Sequence, residues 1–171
     1  DIVEDHNLPN QIYDIEHVGK RKVDAFEEVL TRFNPRISVE KSDTYFTSEN
    51  KADLHGPLVL TVDTMKARKE IYNAFRLNWK VKNVFETRVG FDYAELNVID
   101  NMNTNQTDNW YSCLLSDKDI PEGPCNLRIC TTLVTIVAAQ TVHTICNMLS
   151  SAKREDAWVY SPKTMFNLTP K

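Results

Sequence analysis

Two aspartates, a lysine-bearing turn and one cysteine are the residues whose types and positions could carry chemistry. Asp63 closes the apolar run Pro57 to Val62, and Asp1 opens the chain where a strand is expected to give way to a polar loop. In open α/β sheets ligands bind beyond the carboxyl ends of the parallel strands. Two carboxylates at such ends therefore converge on one place. Lys22, beside Lys20 and Arg21 at the start of a helical pattern, adds an ammonium group. A well-placed lysine and a helix N-terminus suffice to hold an anionic phosphate. Cys125 follows Gly123-Pro124 in an expected loop, where a thiol is reachable, and Arg128 nearby favours the reactive thiolate.

Each of these residues also has a plainer reading. Lys22 fits a solvated helix lysine, and Asp63 fits the cap of the helix that follows it. Asn7 can simply order its own turn by bonding to the backbone. Arg68 lies one helical turn past Asp63 and can pair with it structurally. Cys125 can be buried and inert, while Cys130 and Cys146, on or near an apolar helix, read as core. His6, His17 and His55 lie in polar surroundings and make no ligand constellation.

Composition narrows the classes. The chain has 171 residues, 42% hydrophobic and 26% charged, with a net charge of −4 and no long run of one sign. Nucleic-acid binding needs a basic stripe, so no nucleic-acid partner is expected. The 4 glycines, Gly19, Gly56, Gly90 and Gly123, are scattered, which leaves no phosphate-binding glycine cluster. The 4 cysteines form no CxxC pair, so structural zinc is not expected. Without a secretory signal, reduced thiols and a cytoplasmic location are the expectation. The uncharged run Ile129 to Ala152 is long enough to cross a membrane, but its threonines, Gln140, His143 and Asn147 would be costly in lipid. A buried helix of a soluble α/β domain is the preferred reading, with no membrane partner.

The elements that must position these residues follow from periodicity. Helices are predicted over 20–33, 65–78 and 131–149. Strands are predicted over 36–40, 57–62, 83–89 and 93–99, the last two as an antiparallel hairpin, with a final strand or hairpin over 157–168. Residues 100–123 read as a long exposed loop with a short ordered piece at 110–115, and such a loop is usually functional or mobile. Strand–helix alternation followed by a hairpin implies one α/β domain over residues 1–171, with a mixed sheet.

The opening Asp1-Ile2-Val3-Glu4-Asp5-His6-Asn7-Leu8-Pro9-Asn10-Gln11 resembles the motif D-x-V-E-x-x-N-L-x-R-Q of the ThiF/E1-like (ubiquitin-activating) family. The likeness continues in Val18-Gly19-Lys20-Arg21-Lys22, in Asn34-Pro35, and in Asp63-Thr64 followed by Arg68, which is similar to D-x-x-D-N-x-x-x-R. Cys125 before an uncharged helix carrying Gln140 resembles the family's cysteine loop and closing helix. The resemblance implies a Rossmann-like three-layer fold with a mixed sheet, whose first βα unit, with its glycine loop and ribose-binding aspartate, would lie upstream of Asp1. It implies an adenylyltransferase that uses ATP and Mg²⁺ to activate the C-terminus of a small ubiquitin-like or sulfur-carrier protein, working as a homo- or heterodimer.

Carried over by position, Asn7 and Gln11 would face the nucleotide and Lys22 would neutralise phosphate charge. Asp63 would hold the Mg²⁺–triphosphate or position the adenylate, with Arg68 beside it. Cys125 would form a thioester or persulfide with the partner. Three positions depart from the pattern. Asn10 replaces the phosphate-contacting arginine, Leu60 the first acidic residue of the second motif, and Thr64 its asparagine. These departures motivate a second reading, a catalytically impaired scaffold subunit that pairs with an active one. A nicotinamide or flavin oxidoreductase is set aside, since the Asn7-to-Gln11 loop and Asn34-Pro35 would have no purpose there.

Overall fold

Alternating side chains in two neighbouring segments build the centre of the molecule. The computed structural model describes residues 1–47, 54–90, 92–116, 118, 129–154 and 162–167. In it β2 (Asn83–Val89) and β3 (Tyr93–Asp100) pair antiparallel, with Val84 opposite Ile99, Glu86 opposite Asn97 and Arg88 opposite Glu95. The short β1 (Leu58–Leu60) runs parallel to β2, and β4 (Lys163–Asn167) antiparallel to β3, giving the order β1-β2-β3-β4. The sheet is mixed, as expected.

Strand side chains point alternately to opposite faces, and here each face receives helices. Val84 and Ile99 join Tyr72 and Phe75 of α2 (Met65–Phe75) and Trp110 of α3 (Thr104–Ser112) in one core cluster. Phe85, Leu96 and Val98 on the other face pack with Leu133 and Val137 of α4 (Ile129–Arg154). Leu133 and Val137 stand four residues apart, hence on one stripe of the helix. Helix, sheet and helix make three layers, the Rossmann-like arrangement expected.

Helix α1 (Lys22–Phe33) starts with Asp24 in its first turn, paired to Arg21 at 2.6 Å, and a carboxylate there complements the helix dipole. Lys41 and Arg21 both hold the Asp24 carboxyl below its usual range through hydrogen bonds. The helix ends at Asn34, ahead of Pro35. Only Ala25 and Val29 are buried on α1; Phe26 and Phe33 of its apolar stripe are exposed.

The structure corrects four local expectations. Residues 36–40 form no strand; Asn34 instead turns the chain by accepting a hydrogen bond from Arg36 N at 3.1 Å. The expected loop after Asp100 contains α3, whose Asn103 cap accepts from Gln106 N, a cap signal that the polar composition obscured. Thr64, not Asp63, caps α2, accepting from Ala67 N at 3.1 Å. Helix α4 is longer than expected and buries only one stripe. Its segment Thr131–Ser151 is long and apolar enough to cross a membrane, with mean hydropathy 1.3, and only 22% of it is buried. The final strand is confirmed at Lys163–Asn167, while the rest of the region after Arg154 lies outside the described residues.

Candidate functional site

The first three residues lie on no strand of the sheet, contrary to the expected strand end; they run beside the turn that starts α1. Ile2 bridges Arg21 antiparallel. Val3 N donates to Lys20 O, Gly19 N to Val3 O, and Lys22 N to Asp1 O, each at 2.9 Å. Gly19 sits at φ +85°, a backbone region that glycine enters without steric cost, so the turn can close there. This ladder fixes Asp1 against Lys22, and their side chains meet with Nζ 2.8 Å from Oδ2. Lys22 is 25% exposed and Asp1 73%, so the pair lies at the water boundary.

Asp1 and Lys22 rim a depression of about 230 Å³, completed by Val23, Ser42, Asp43, Thr44 and Tyr45. Asp63 is not among these lining residues. It stands three residues beyond the carboxyl end of β1, the strand end expected of it, and is exposed. Its backbone carbonyl accepts from Arg68 Nη1 at 3.1 Å. Arg68 does pair with the Asp63 turn, but through the main chain.

Asn7 is buried and ordered by a reciprocal cap: its Oδ1 accepts from Glu4 N at 3.0 Å, while the Glu4 side chain accepts from Asn7 N. Gln11 is exposed, its N–H donating to Asn7 O. Thr131 Oγ1, in the first turn of α4, lies 2.6 Å from Pro9 O and 2.9 Å from Asn10 Oδ1. The Asn7-to-Gln11 turn is thus tied to α4 at the position where the family motif carries arginine. Leu60, the other departure, is 3% exposed within the apolar core. Cys125 lies outside the described residues.

A buried polar network behind the Asp63 turn escaped the motif reading. Glu86 Oε1 accepts from Arg68 Nε at 2.6 Å and Arg88 Nε at 2.8 Å; Oε2 accepts from Asn97 Nδ2 and Trp110 Nε1. Asn97 also donates to Glu95, which Lys163 approaches at 2.8 Å. Burial pushes the Glu86 carboxyl up, but the Arg88 hydrogen bond and the charges of Arg88 and Arg68 outweigh it and hold the group below its usual range. The signal was present in sequence: Glu86, Arg88, Glu95 and Asn97 interrupt two apolar strands at alternate positions. Among the described residues no group of three or more His, Cys, Asp or Glu side chains could hold a metal ion.

Comparison with known proteins agrees with this architecture. A search of curated proteins finds no match. The crystal structure titled "SeMet PaaA" superposes with a TM-score of 0.65 at 19% identity, covering 98% of this chain and 51% of that one. The likeness is one of fold, and the chain spans about half of that neighbour's length. The model of the ThiF family matches residues 1–168, nearly the whole sequence. A three-layer mixed sheet, a lysine opening the first helix and a family match from end to end lead to one assignment: the chain belongs to the ThiF family.

Proposed function

We propose that the chain is part of an ATP-dependent adenylyltransferase of the E1 type, activating the C-terminal carboxyl of a small ubiquitin-like or sulfur-carrier protein. Family membership supports an E1-like adenylation domain in general. The observation that carries the finer reading is the Lys22 ammonium beside Asp1 at the rim of an open depression. In the proposed reaction a carboxylate oxygen of the partner's terminus attacks the α-phosphorus of ATP. The bond to the bridging oxygen breaks, and pyrophosphate leaves with its electron pair. Lys22 would exchange its contact with Asp1 for phosphate oxygens and offset the growing charge. Asn7 would keep the neighbouring loop in shape, and exposed Gln11 would face the nucleotide.

Asp63 fits a Mg²⁺ ligand, because this ion is usually held by one or two carboxylates together with phosphates and water. The ion, when bound, supplies charge neutralisation on the phosphates. Arg68 would act indirectly, holding the Asp63 carbonyl and so the turn. Cys125 would attack the acyl-adenylate as its thiolate, forming a thioester with the partner's terminus and releasing AMP. We place the protein in the cytoplasm and expect it to work as a dimer.

A second reading has its own support. Leu60 sits in the apolar core and Asn10 is engaged with Thr131, at positions where the family motif carries an acid and an arginine. A scaffold subunit that pairs with an active one would tolerate both. The test is pyrophosphate exchange by the full-length protein with a Gly-Gly-ended ubiquitin-fold protein, alongside calorimetric ATP titration. Exchange supports the enzyme. Neither exchange nor ATP binding leaves the scaffold reading standing and ends the first.

A further inference from the structure

His17 stands in a polar stretch of sequence, yet its side chain is 0% exposed. It closes the short helical turn Ile15–His17, just ahead of Gly19 and Lys22. A buried imidazole needs partners for both ring nitrogens. Histidine is also the side chain whose ordinary titration falls between about pH 5 and 8.

The ring meets two incompatible partners at one nitrogen. Asp14 N donates to His17 Nδ1 at 3.0 Å, which requires that nitrogen to be bare. Asp14 Oδ1 lies 2.8 Å from the same Nδ1, which suits a protonated nitrogen. Nδ1 can satisfy only one of them at a time. At the other nitrogen, Nε2 has no hydrogen-bond partner among the described residues, and Glu28 Oε2 stands 3.9 Å away.

The Glu28 carboxyl is held below its usual range, chiefly by the hydrogen bond from Lys20, so it stays ionised where histidines titrate. An N–H facing that carboxylate is favoured over a bare lone pair. The neutral ring is therefore the Nε2–H tautomer, with Nδ1 accepting from Asp14 N. A second proton turns Nδ1 into a donor, breaks that bond and redirects the ring to Asp14 Oδ1. That oxygen already accepts from Glu16 N at 3.0 Å. The carboxylates on both sides are also engaged: Arg32 reaches Asp14 at 3.5 Å and Glu16 at 3.7 Å, and Lys20 reaches Glu28 at 2.6 Å.

Several links carry a change at the ring to Lys22. His17 O accepts from Lys20 N at 3.0 Å. Lys20 Nζ holds the same Glu28 oxygen that a charged ring would attract. Tyr13 meets the His17 ring edge-on, with centroids 6.0 Å apart, and its hydroxyl donates to Lys22 O at 3.2 Å.

We propose that His17 is a protonation switch on the turn that presents Lys22. The neutral ring holds the turn in shape. The protonated ring loosens it, by giving up the Asp14 N–H and drawing Glu28 away from Lys20. His17 touches no ligand and acts as a positioning residue. Acid should therefore weaken anion binding at Lys22, a consequence that rests on the proposed function; the coupling between ring and turn does not.

The test is heteronuclear NMR of the full-length protein with nitrogen-labelled histidine and lysine, titrated with acid. The His17 ring should show the Nε2–H tautomer at the basic end. As Nδ1 gains its proton, the Lys20 and Lys22 amides should shift with the same midpoint. In His17→Asn, whose side-chain oxygen can still accept from Asp14 N, those shifts should vanish. An Nδ1–H tautomer, a ring that titrates without moving the lysine amides, or the same lysine titration in His17→Asn overturns the switch. So does a ring that takes up no proton before the protein unfolds. Should His17→Asn fail to fold, the wild-type signals decide alone.

Calorimetric ATP titration at about pH 6 and about pH 8 then reads the consequence. The ratio of wild-type to His17→Asn affinity cancels the titration of ATP itself, and it should fall by about threefold or more at the lower pH, the scale of a lost cap. A constant ratio cuts the switch off from the site and overturns the proposal. No ATP binding by either protein at either pH overturns the nucleotide reading instead, while the NMR result still decides the switch.

Discussion

Arg68 Nε lies 2.6 Å from Glu86 Oε1, and the two side chains are almost wholly withdrawn from water, 5% and 0% exposed. The remaining nitrogens of Arg68 bond to Asp63 O and Thr87 O. One guanidinium therefore joins α2, the turn after β1 and the middle of β2. Such a pair contributes geometry more than net stability, because desolvation offsets most of the attraction.

Breaking the pair from one side is a different matter. Glu86→Gln leaves Arg68 and Arg88 without their shared carboxylate, and an uncompensated buried charge costs about 3–5 kcal/mol. Urea unfolding of the variant should show a midpoint lowered accordingly with an unchanged slope. A loss below about 1 kcal/mol would mean that the network is solvated.

The same carboxylate predicts the acid limb of stability. Its pKa is lowered in the folded protein, so its contribution is fully present above the unfolded value of about 4.3. That contribution is lost as pH falls from there through the lower folded value. The unfolding free energy measured across this range should fall steeply with decreasing pH in wild type and less steeply in Glu86→Gln. Parallel curves would remove Glu86 from the explanation.

Leu77 tests strain directly. It sits at φ +65° in the turn between α2 and β2, where Asn101 Nδ2 donates to the carbonyls of Phe75, Asn78 and Val81. A leucine in the left-handed region costs about 1–2 kcal/mol, while glycine loses about 0.5–1 kcal/mol through unfolded-state entropy. The side chain is largely exposed, so little packing is lost. Leu77→Gly should leave the melting midpoint unchanged or raise it slightly. Asn101→Ala, by contrast, strands buried carbonyls and should cost about 1–3 kcal/mol. A marked loss in Leu77→Gly would show that the turn is not strained.

Lys22 separates function from fold. Its ion pair with Asp1 sits at the surface, where such pairs contribute about 0–1 kcal/mol. Lys22→Ala should melt within a few degrees of wild type, yet lose ATP affinity and pyrophosphate exchange under the proposed function. Unaltered ATP binding would remove Lys22 from the site.

Much of the framework was legible in the sequence because it rests on short-range rules. Alternation in residues 83–89 and 93–99 specified the hairpin, helical spacing specified α1, and a long uncharged run marked the body of α4. The ordered residues from Asp1 to Lys22 were enough to suggest the family that the whole-chain match then established. Helix α3 was hidden because its exposed face is polar and its anchors, Thr107 and Trp110, are few.

What sequence could not decide is which polar groups meet. Alternate positions place Glu86, Arg88, Glu95 and Asn97 on one face, but the strand register decides that Glu86 stands opposite Asn97. Only the crossing of α2 over that face then brings in Arg68, eighteen residues away. Likewise Asp63 looked like a helix cap from its spacing, yet Thr64 accepts the capping bond and Arg68 takes the Asp63 carbonyl. Local propensity fixes the dihedrals of each segment, whereas a hydrogen bond between segments needs two surfaces in one place. Chain packing alone supplies that.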